Sequence, residues 1–271
     1  VIRSATVRVG ATTRIRLATG IINIFSRSPG LIAQTFATLD ELSGGRMIIG
    51  LGTSGSQVIE RWHGGRFERP IRRMREVVEI LRLALAGERL NYAGQIFSLS
   101  GFKLGMDPVR PRIPIYLATF KPQGLRLTGE IADGWLPTNL SVAHLPAMLR
   151  TVAEGASAAG RDPAGIDVAP MIHTLVTENR EEARSLVRRH LAYYVGGMGT
   201  FYFELMQSYG FAEEAGRIRE RWQAGDRDGA ARQVSDAMVD ALSITGTASE
   251  CRKAVEAGRA AGVAMPVLVP L

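Results

Sequence analysis

Strand-like and helix-like segments alternate along most of this 271-residue chain, and that alternation restricts the fold more than any other feature. Strands that take turns with amphipathic helices build parallel sheets through right-handed crossovers. Arg16-Leu17-Ala18-Thr19 reads as a short strand ending at Gly20. Ser28 and Pro29 then suit the cap and first turn of a helix over residues 30–42, with Leu31, Ala33, Phe36, Ala37, Leu39 and Leu42 as its apolar positions and Gly44-Gly45 as its stop. Residues 47–50 read as the second strand. Residues 70–86 follow as a helix with Met74, Val77, Val78, Leu81 and Leu85 on one face. Residues 91–99 read as a hairpin excursion and 114–118 as the third strand, with a helix around 124–131. A fourth strand over 134–136 leads to a helix over 145–159, and a fifth strand spans 167–174. A helical region over about 181–241, broken by a glycine loop at 196–199, precedes a helix at 248–261 and a final strand at 263–269. No linker or low-complexity tract interrupts this order, so residues 1–271 read as a single α/β domain.

The run Thr38-Leu39-Asp40-Glu41-Leu42-Ser43-Gly44-Gly45-Arg46-Met47-Ile48-Ile49-Gly50-Leu51-Gly52-Thr53-Ser54-Gly55 decides between two α/β architectures. Its tail fits the GxGxxG pattern of dinucleotide-binding folds. That pattern requires a helix at the third glycine, a second strand after it, and an acidic residue about twenty positions on. Here the following segment passes through Trp62-His63-Gly64-Gly65 into a long helix, the corresponding positions are Arg72 and Arg73, and no second strand comes before Pro114. The dinucleotide reading fails, and a glycine-rich loop at the carboxyl end of a barrel strand survives, where ligands bind in (β/α) barrels.

Composition narrows the partners. The formal charge is +7, yet the basic residues are nearly all arginine and are dispersed among acids. The charge therefore suits an anionic cofactor or substrate better than nucleic acid. Nothing approaches a membrane span of about 20 apolar residues, and the opening Val1-Ile2-Arg3-Ser4 is not a signal peptide. A single cysteine, Cys251, excludes an internal disulfide, suits a reducing cytoplasm, and is expected as a small buried apolar residue on the last helix. Glu60 and His63 share helical spacing, but two ligands do not make a metal site, so no metal is expected.

Several segments together resemble the luciferase-like oxidoreductases, in the branch that uses coenzyme F420. They are residues 37–46, Glu60-Arg61-Trp62-His63-Gly64 with Phe67-Glu68-Arg69-Pro70, residues 73–82, Glu130-Ile131-Ala132-Asp133-Gly134-Trp135-Leu136-Pro137, and Tyr194-Val195-Gly196-Gly197-Met198-Gly199. The resemblance implies a TIM (β/α)8-type barrel, a cytoplasmic homodimer, and hydride transfer between the deazaflavin and a small organic substrate. It also implies that a segment holding the first two barrel strands precedes the position of Val1 in relatives and is lacking here. Two alternatives stay open: an FMN-dependent monooxygenase on the same scaffold, and a truncated, catalytically silent domain that binds flavin weakly or assembles with a partner.

The resemblance also implies roles for individual residues. Gly20-Ile21 would form a non-proline cis peptide in a bulge behind the deazaflavin ring, and Asn23 would meet the ring's polar edge; from the residues alone, a strand-to-loop turn and an Asx turn serve as well. Ser54, Gly55 and Gln57 would contact the ring or its side chain, or simply make a tight turn. Phe120, Lys121, Gln123 and Gly124 would cradle the cofactor phosphate at a helix amino end, the alternative being an ordinary βα loop. Thr138, Asn139 and His173 would face the substrate. For His63 and His173 a buried, hydrogen-bonded histidine competes with an acid/base role. Asp40, Glu41, Glu130 and Asp133 read as structural acids that pair with Arg46 or other neighbours. The aromatic residues Tyr194, Phe201, Tyr202 and Phe203 read as core or subunit interface, and no catalytic residue is assigned.

Overall fold

The computed structural model describes residue 8 and residues 10–271; the opening residues Val1 to Ser4 lie outside the described residues. The described chain divides into two compact units. The first comprises residues up to 54, 58–136 and 150–167, and the second 55–57, 137–149 and 168–271.

The first unit is built on a parallel sheet. β1 (Leu17–Ala18) and β2 (Ile22–Asn23) both pair with β3 (Met47–Gly52). β3 pairs with β6 (Ile115–Ala118), β6 with β7 (Gly134–Trp135), and β8 (Asp167–Val168) follows. Every residue of β3 is buried, as a central parallel strand covered on both faces requires. Helix α1 (Pro29–Ser43) starts as its sequence dictates. The Ser28 hydroxyl accepts the Leu31 N–H, Pro29 occupies the first turn, and Gly44 ends the helix in the left-handed region at φ 64°. Ile32, Ala33, Phe36, Ala37 and Leu39 bury against β3 and α2 (Pro70–Leu85), whereas Leu31 and Leu42, expected in the core, are 53% and 59% exposed. At 100° per residue both fall on the face opposite the buried stripe of α1, so the apolar count of this helix overstates its core face.

Between α2 and β6, β4 (Leu90–Ala93) and β5 (Ser98–Phe102) pair as the antiparallel hairpin. Its turn is held by the fully buried Glu76 of α2. That carboxylate accepts N–H bonds from Gln95, Ile96 and Phe97 at 2.8, 3.0 and 2.9 Å and a bond from Arg72 Nε at 2.7 Å. Helix α3 (Pro122–Ile131) leads to β7, and Asp133 between them receives Arg82, Arg112 and the Ile115 N–H. Asp40 receives Arg110 instead of Arg46, which is spent on the Ser43, Thr12 and Ile15 carbonyls.

The second unit carries a three-stranded parallel sheet in the order β10 (Ser243–Gly246), β9 (Met171–Val176), β11 (Val267–Pro270). The expected fifth strand over 167–174 is two strands, because Pro170 lacks the N–H that a continuous ladder needs. β8 joins the first sheet and β9 founds the second. β10 was hidden in sequence between two helical segments. The helices are α5 (Arg180–Gly197), α6 (Phe201–Ser208), α7 (Ala212–Gln223), α8 (Arg227–Arg232), α9 (Asp236–Leu242) and α10 (Ala248–Ala260). α4 (Leu145–Ala158) has residues in both units. Gly196 and Gly197, expected in a loop, are the last turn of α5. They lie against Trp222 of α7, where a Cβ on Gly196 would overlap the indole. Cys251 is buried on α10, as expected of a free thiol. Among the described residues no helix is long and apolar enough to cross a membrane.

Candidate cofactor and substrate site

In the first unit, the expected cofactor residues lie between β1 and β2 and at the carboxyl ends of the neighbouring strands β2, β3 and β6. Gly20 and Ile21 precede β2, and the peptide between them is cis, as the resemblance implies for this position. Asn23 closes an Asx turn in which its Oδ1 accepts the Phe25 N–H at 2.8 Å. β1 and β3 approach so closely that a Cβ on Gly50 would overlap the Thr19 carbonyl oxygen. The Thr19 hydroxyl bridges the Gly50 carbonyl and N–H at 3.0 Å each. Gly50 thus answers to strand packing, which supplies the physical reason that the GxGxxG match is a lookalike. Ser54, past β3, is exposed and sits in the left-handed region at φ 58°.

The loop after β6 is pinned from below. Trp135 Nε1 donates to the Thr119 carbonyl at 2.7 Å, the Thr119 and Thr128 hydroxyls meet at 2.7 Å, and Thr128 Oγ1 donates to the Gly124 carbonyl at 2.9 Å. A Cβ on Gly124 would come to 3.0 Å from Thr119 Cβ. Helix α3 then starts with Pro122 in its first turn and with no side chain capping it. Its ladder opens with the Leu125 N–H donating to the Lys121 carbonyl at 3.0 Å, so the N–H groups of Gln123 and Gly124 come before the first donor of the helical ladder. Lys121 and Gln123 are exposed at this helix start. An uncapped helix amino end headed by a lysine is suited to an anion such as a phosphate diester.

The second unit holds the other expected residues. Gly55 and Gln57 fall here, and Gln57 Oε1 lies 3.5 Å from where a Gly199 Cβ would stand. Thr138 bridges Met171 in parallel register, reinforced by the Met171 N–H bonding the Pro137 carbonyl at 2.7 Å. The next residue, Asn139, is 1% exposed and held at φ 55°, and neither atom of its amide has a hydrogen-bond partner. His173 in β9 is 6% exposed, and neither ring nitrogen has a partner. This differs from the hydrogen-bonded core histidine weighed from sequence. Each unpaired buried polar group costs about 1–3 kcal/mol, so these groups call for a ligand or ordered water.

His190 of α5 stacks on His173 with ring centroids 3.8 Å apart, and Tyr194 lies 4.6 Å beyond it. Burial depresses the His173 pKa. His190 is pushed down to about 4, first by burial and then by the charge of His173. Both rings are therefore neutral near pH 7. Sequence reading missed His190. Its signal was the helical spacing of four to Tyr194, but nothing in sequence pairs it with a residue of β9. His63 is exposed, not buried. Tyr194 and Tyr202 meet edge to face at 4.6 Å, inside the second unit.

A parallel α/β order with ligand-type features at strand carboxyl ends defines a protein of the barrel-type α/β class. The model of the luciferase-like monooxygenase family matches residues 4–265, and the chain belongs to that family. Rv3520c of Mycobacterium tuberculosis, which bears the name of a coenzyme F420-dependent oxidoreductase, is 33% identical over 95% of this chain and 80% of its own length. The 5,10-methylenetetrahydromethanopterin reductase of Archaeoglobus fulgidus is 32% identical over 94% of this chain and 77% of its own. Among solved structures, the coenzyme F420-dependent tetrahydromethanopterin reductase of Methanopyrus kandleri superposes with a TM-score of 0.87 at 27% identity, covering 99% of this chain and 81% of that one.

Proposed function

We propose that this protein is an F420-dependent oxidoreductase that moves a hydride between the deazaflavin and a small organic substrate. The observation that carries the reading is the uncapped amino end of α3, pinned by Trp135 and Thr128 and headed by Lys121. The relatives that bear the name of F420-dependent enzymes point to the same cofactor. When bound, the deazaflavin supplies a carbon that gives or takes hydride. The protein's part is to hold it. The N–H groups of Phe120, Lys121, Gln123 and Gly124 would take the phosphate, the Gly20-Ile21 bulge would back the ring, and Asn23, Ser54, Gly55 and Gln57 would meet its edge and side chain. Thr138, Asn139 and His173 would face the substrate.

We read residues 1–271 as one working domain, active as a cytoplasmic homodimer; the single cysteine suits a reducing compartment. Light scattering on the purified protein tests the dimer, and a single cooperative unfolding transition tests the one-domain reading. The cofactor reading is tested by titrating the protein with F420 and with FMN while following cofactor fluorescence. Saturable binding of F420, with FMN much weaker, is expected. Preference for FMN would replace this reading with that of a flavin monooxygenase, and failure to bind either would leave a silent domain.

A further inference from the structure

The guanidinium of Arg73, in the first turn of α2, is held against aromatic rings but has no counter-ion. It lies over two phenyl rings, 4.6 Å from the Phe25 centroid and 4.9 Å from that of Phe97, and Phe67 stacks on Phe25 at 5.1 Å. Its Nε is buried and has no hydrogen-bond partner. Among the described residues no carboxylate closes an ion pair on it. Glu76, on the same helix, is taken by Arg72 and by the N–H groups of Gln95, Ile96 and Phe97. We infer that Arg73 anchors an oxyanion site, which takes a carboxylate or phosphate group of a small-molecule ligand. Asn23 Oδ1 accepts the Phe25 N–H at 2.8 Å, so this site stands at the carboxyl end of β2, the side of such a sheet on which ligands bind.

Charge and shape set the ligand class. Burial lowers the Arg73 pKa and Glu76 only partly offsets that, yet a guanidinium stays protonated near neutral pH. A cation partly withdrawn from water without a counter-ion is unfavourable, and an anion removes that penalty as no neutral group does. The guanidinium donors lie in one plane and match the paired oxygens of a carboxylate or phosphate. The rings hold the side chain in place, so little of its entropy remains to be lost when an anion docks. Arg73 is only half-buried, and its Nη nitrogens are neither buried nor bonded among the described residues, so that edge of the fork is open. The surroundings agree. The first turn of α2 has no acid, Arg69 at its head is exposed, and Glu68 pairs with Arg66 at 3.7 Å. The site is distinct from the helix end of α3 and does not rest on the cofactor reading. Ile71 lies 3.7 Å from where a Gly124 Cβ would stand, whereas Arg73, roughly 200° further round the helix, turns to Phe25 and Phe97.

The test is NMR of the 15N-labelled protein, reading the Nε–H of Arg73, assigned by its loss in Arg73→Lys, and the backbone N–H of Phe25. Inorganic phosphate and acetate are titrated separately, with sodium chloride at matched ionic strength as the control. At least one of the oxyanions is expected to move both signals saturably, while chloride leaves them in place. A stronger response to phosphate assigns a phosphate group to the ligand, and a stronger response to acetate assigns a carboxylate. Arg73→Met keeps an apolar stem against the rings and is expected to abolish the saturable shift at Phe25. Arg73→Lys keeps the charge without the fork and is expected to weaken the anion about tenfold. Signals that neither oxyanion moves, equal movement by chloride, or wild-type affinity at Phe25 in Arg73→Met would each overturn the inference. In Lys121→Ala the Arg73 shifts are expected to persist, and their loss would mean that the α3 end is the only anion site. The titration needs no deazaflavin, so failure here with F420 still binding leaves the cofactor reading intact, and loss of F420 binding with the Arg73 shifts preserved defeats the cofactor reading alone.

Discussion

Arg110 grips Asp40 with two parallel bonds, Nε to Oδ2 at 2.8 Å and Nη2 to Oδ1 at 2.7 Å, across seventy residues of sequence. The Asp40 side chain is 2% exposed and also accepts the Met47 N–H at 3.0 Å. The pair therefore fastens the end of α1 to the start of β3 and to the segment leading into β6. Removing one member of a buried ion pair strands the other, at a cost of about 3–5 kcal/mol. Arg110 is partly exposed, so Asp40→Asn is expected nearer 2–3 kcal/mol, measured by urea unfolding. Asp40→Asn with Arg110→Met should recover part of that loss, because no unpaired cation remains.

Glu76 is the equivalent clamp for the hairpin. Burial raises its pKa, but the Phe97 N–H, Arg72, and the Gln95 and Ile96 N–H groups together outweigh it and hold the carboxyl below its ordinary value. A carboxylate with a depressed folded pKa stabilises the fold above its unfolded pKa of about 4.3, and that contribution disappears as pH falls through the folded value. Glu76→Gln should therefore be clearly less stable than wild type at pH 7. The gap between the two should narrow as pH drops below about 4, as read from thermal melts across pH.

What could be read in the sequence was whatever local chemistry decides. Ser28-Pro29 and Gly44-Gly45 bounded α1 because capping and left-handed backbone are properties of a few adjacent residues. The strand-end loops were legible because strands and helices alternate. The exposure of Leu31 and Leu42 was legible in principle, since at 100° per residue they fall opposite Ile32, Ala33, Phe36, Ala37 and Leu39. The partner of Asp40 and the meeting of His173 with His190 were not legible, because each depends on which residue a distant segment delivers, and no spacing encodes that. The split at Pro170 was legible in principle, since proline interrupts a ladder, but the run over 167–174 looked continuous by hydrophobicity.

Gly50 and Gly55 sit in one GxGxxG match yet face opposite constraints. A Cβ on Gly50 would overlap the backbone of Thr19, whereas a Cβ on Gly55 meets nothing within 4 Å. Gly50→Ala must push β1 away from β3 and is expected to cost about 3 kcal/mol or more, the overpacking range. Gly55→Ala should lie within about 0.5 kcal/mol of wild type, as an unhindered surface change does. A dinucleotide loop would show the reverse pattern in a binding assay, with Gly55 intolerant. Chemical denaturation of both variants decides.

Lys121 stands at the head of α3, exposed beside the uncapped first turn. Under the proposed function its ammonium adds a point charge to the helix-end anion site. Lys121→Ala should then weaken F420 binding by about 1 kcal/mol, roughly fivefold, and less at high salt. The melting temperature should stay within about 2 °C, since the residue is at the surface. Undiminished affinity at low salt would remove Lys121 from the cofactor site.

The stacked pair His173 and His190 sets a pH limit of its own. Burial lowers the His190 pKa to about 4, with His173 adding to the effect, and burial alone lowers that of His173. The groups around the pair come from β9 and α5, with Tyr194 next to His190, while Arg184 and Arg188 are tied to carboxylates. No carboxylate among these stands ready to stabilise an imidazolium. Between the unfolded histidine pKa of about 6.5 and the folded value, the unfolded chain holds more protons than the folded one. Stability is therefore expected to be flat with respect to these groups above pH 7 and to fall as pH drops from about 6.5 toward 4, by at most about 1.4 kcal/mol per pH unit for each histidine. In His190→Phe that slope should become shallower across the same window, with little change in stability at pH 8. Equal slopes for variant and wild type, from urea unfolding at half-unit pH steps, would mean that the pair is charged or solvated in the folded protein.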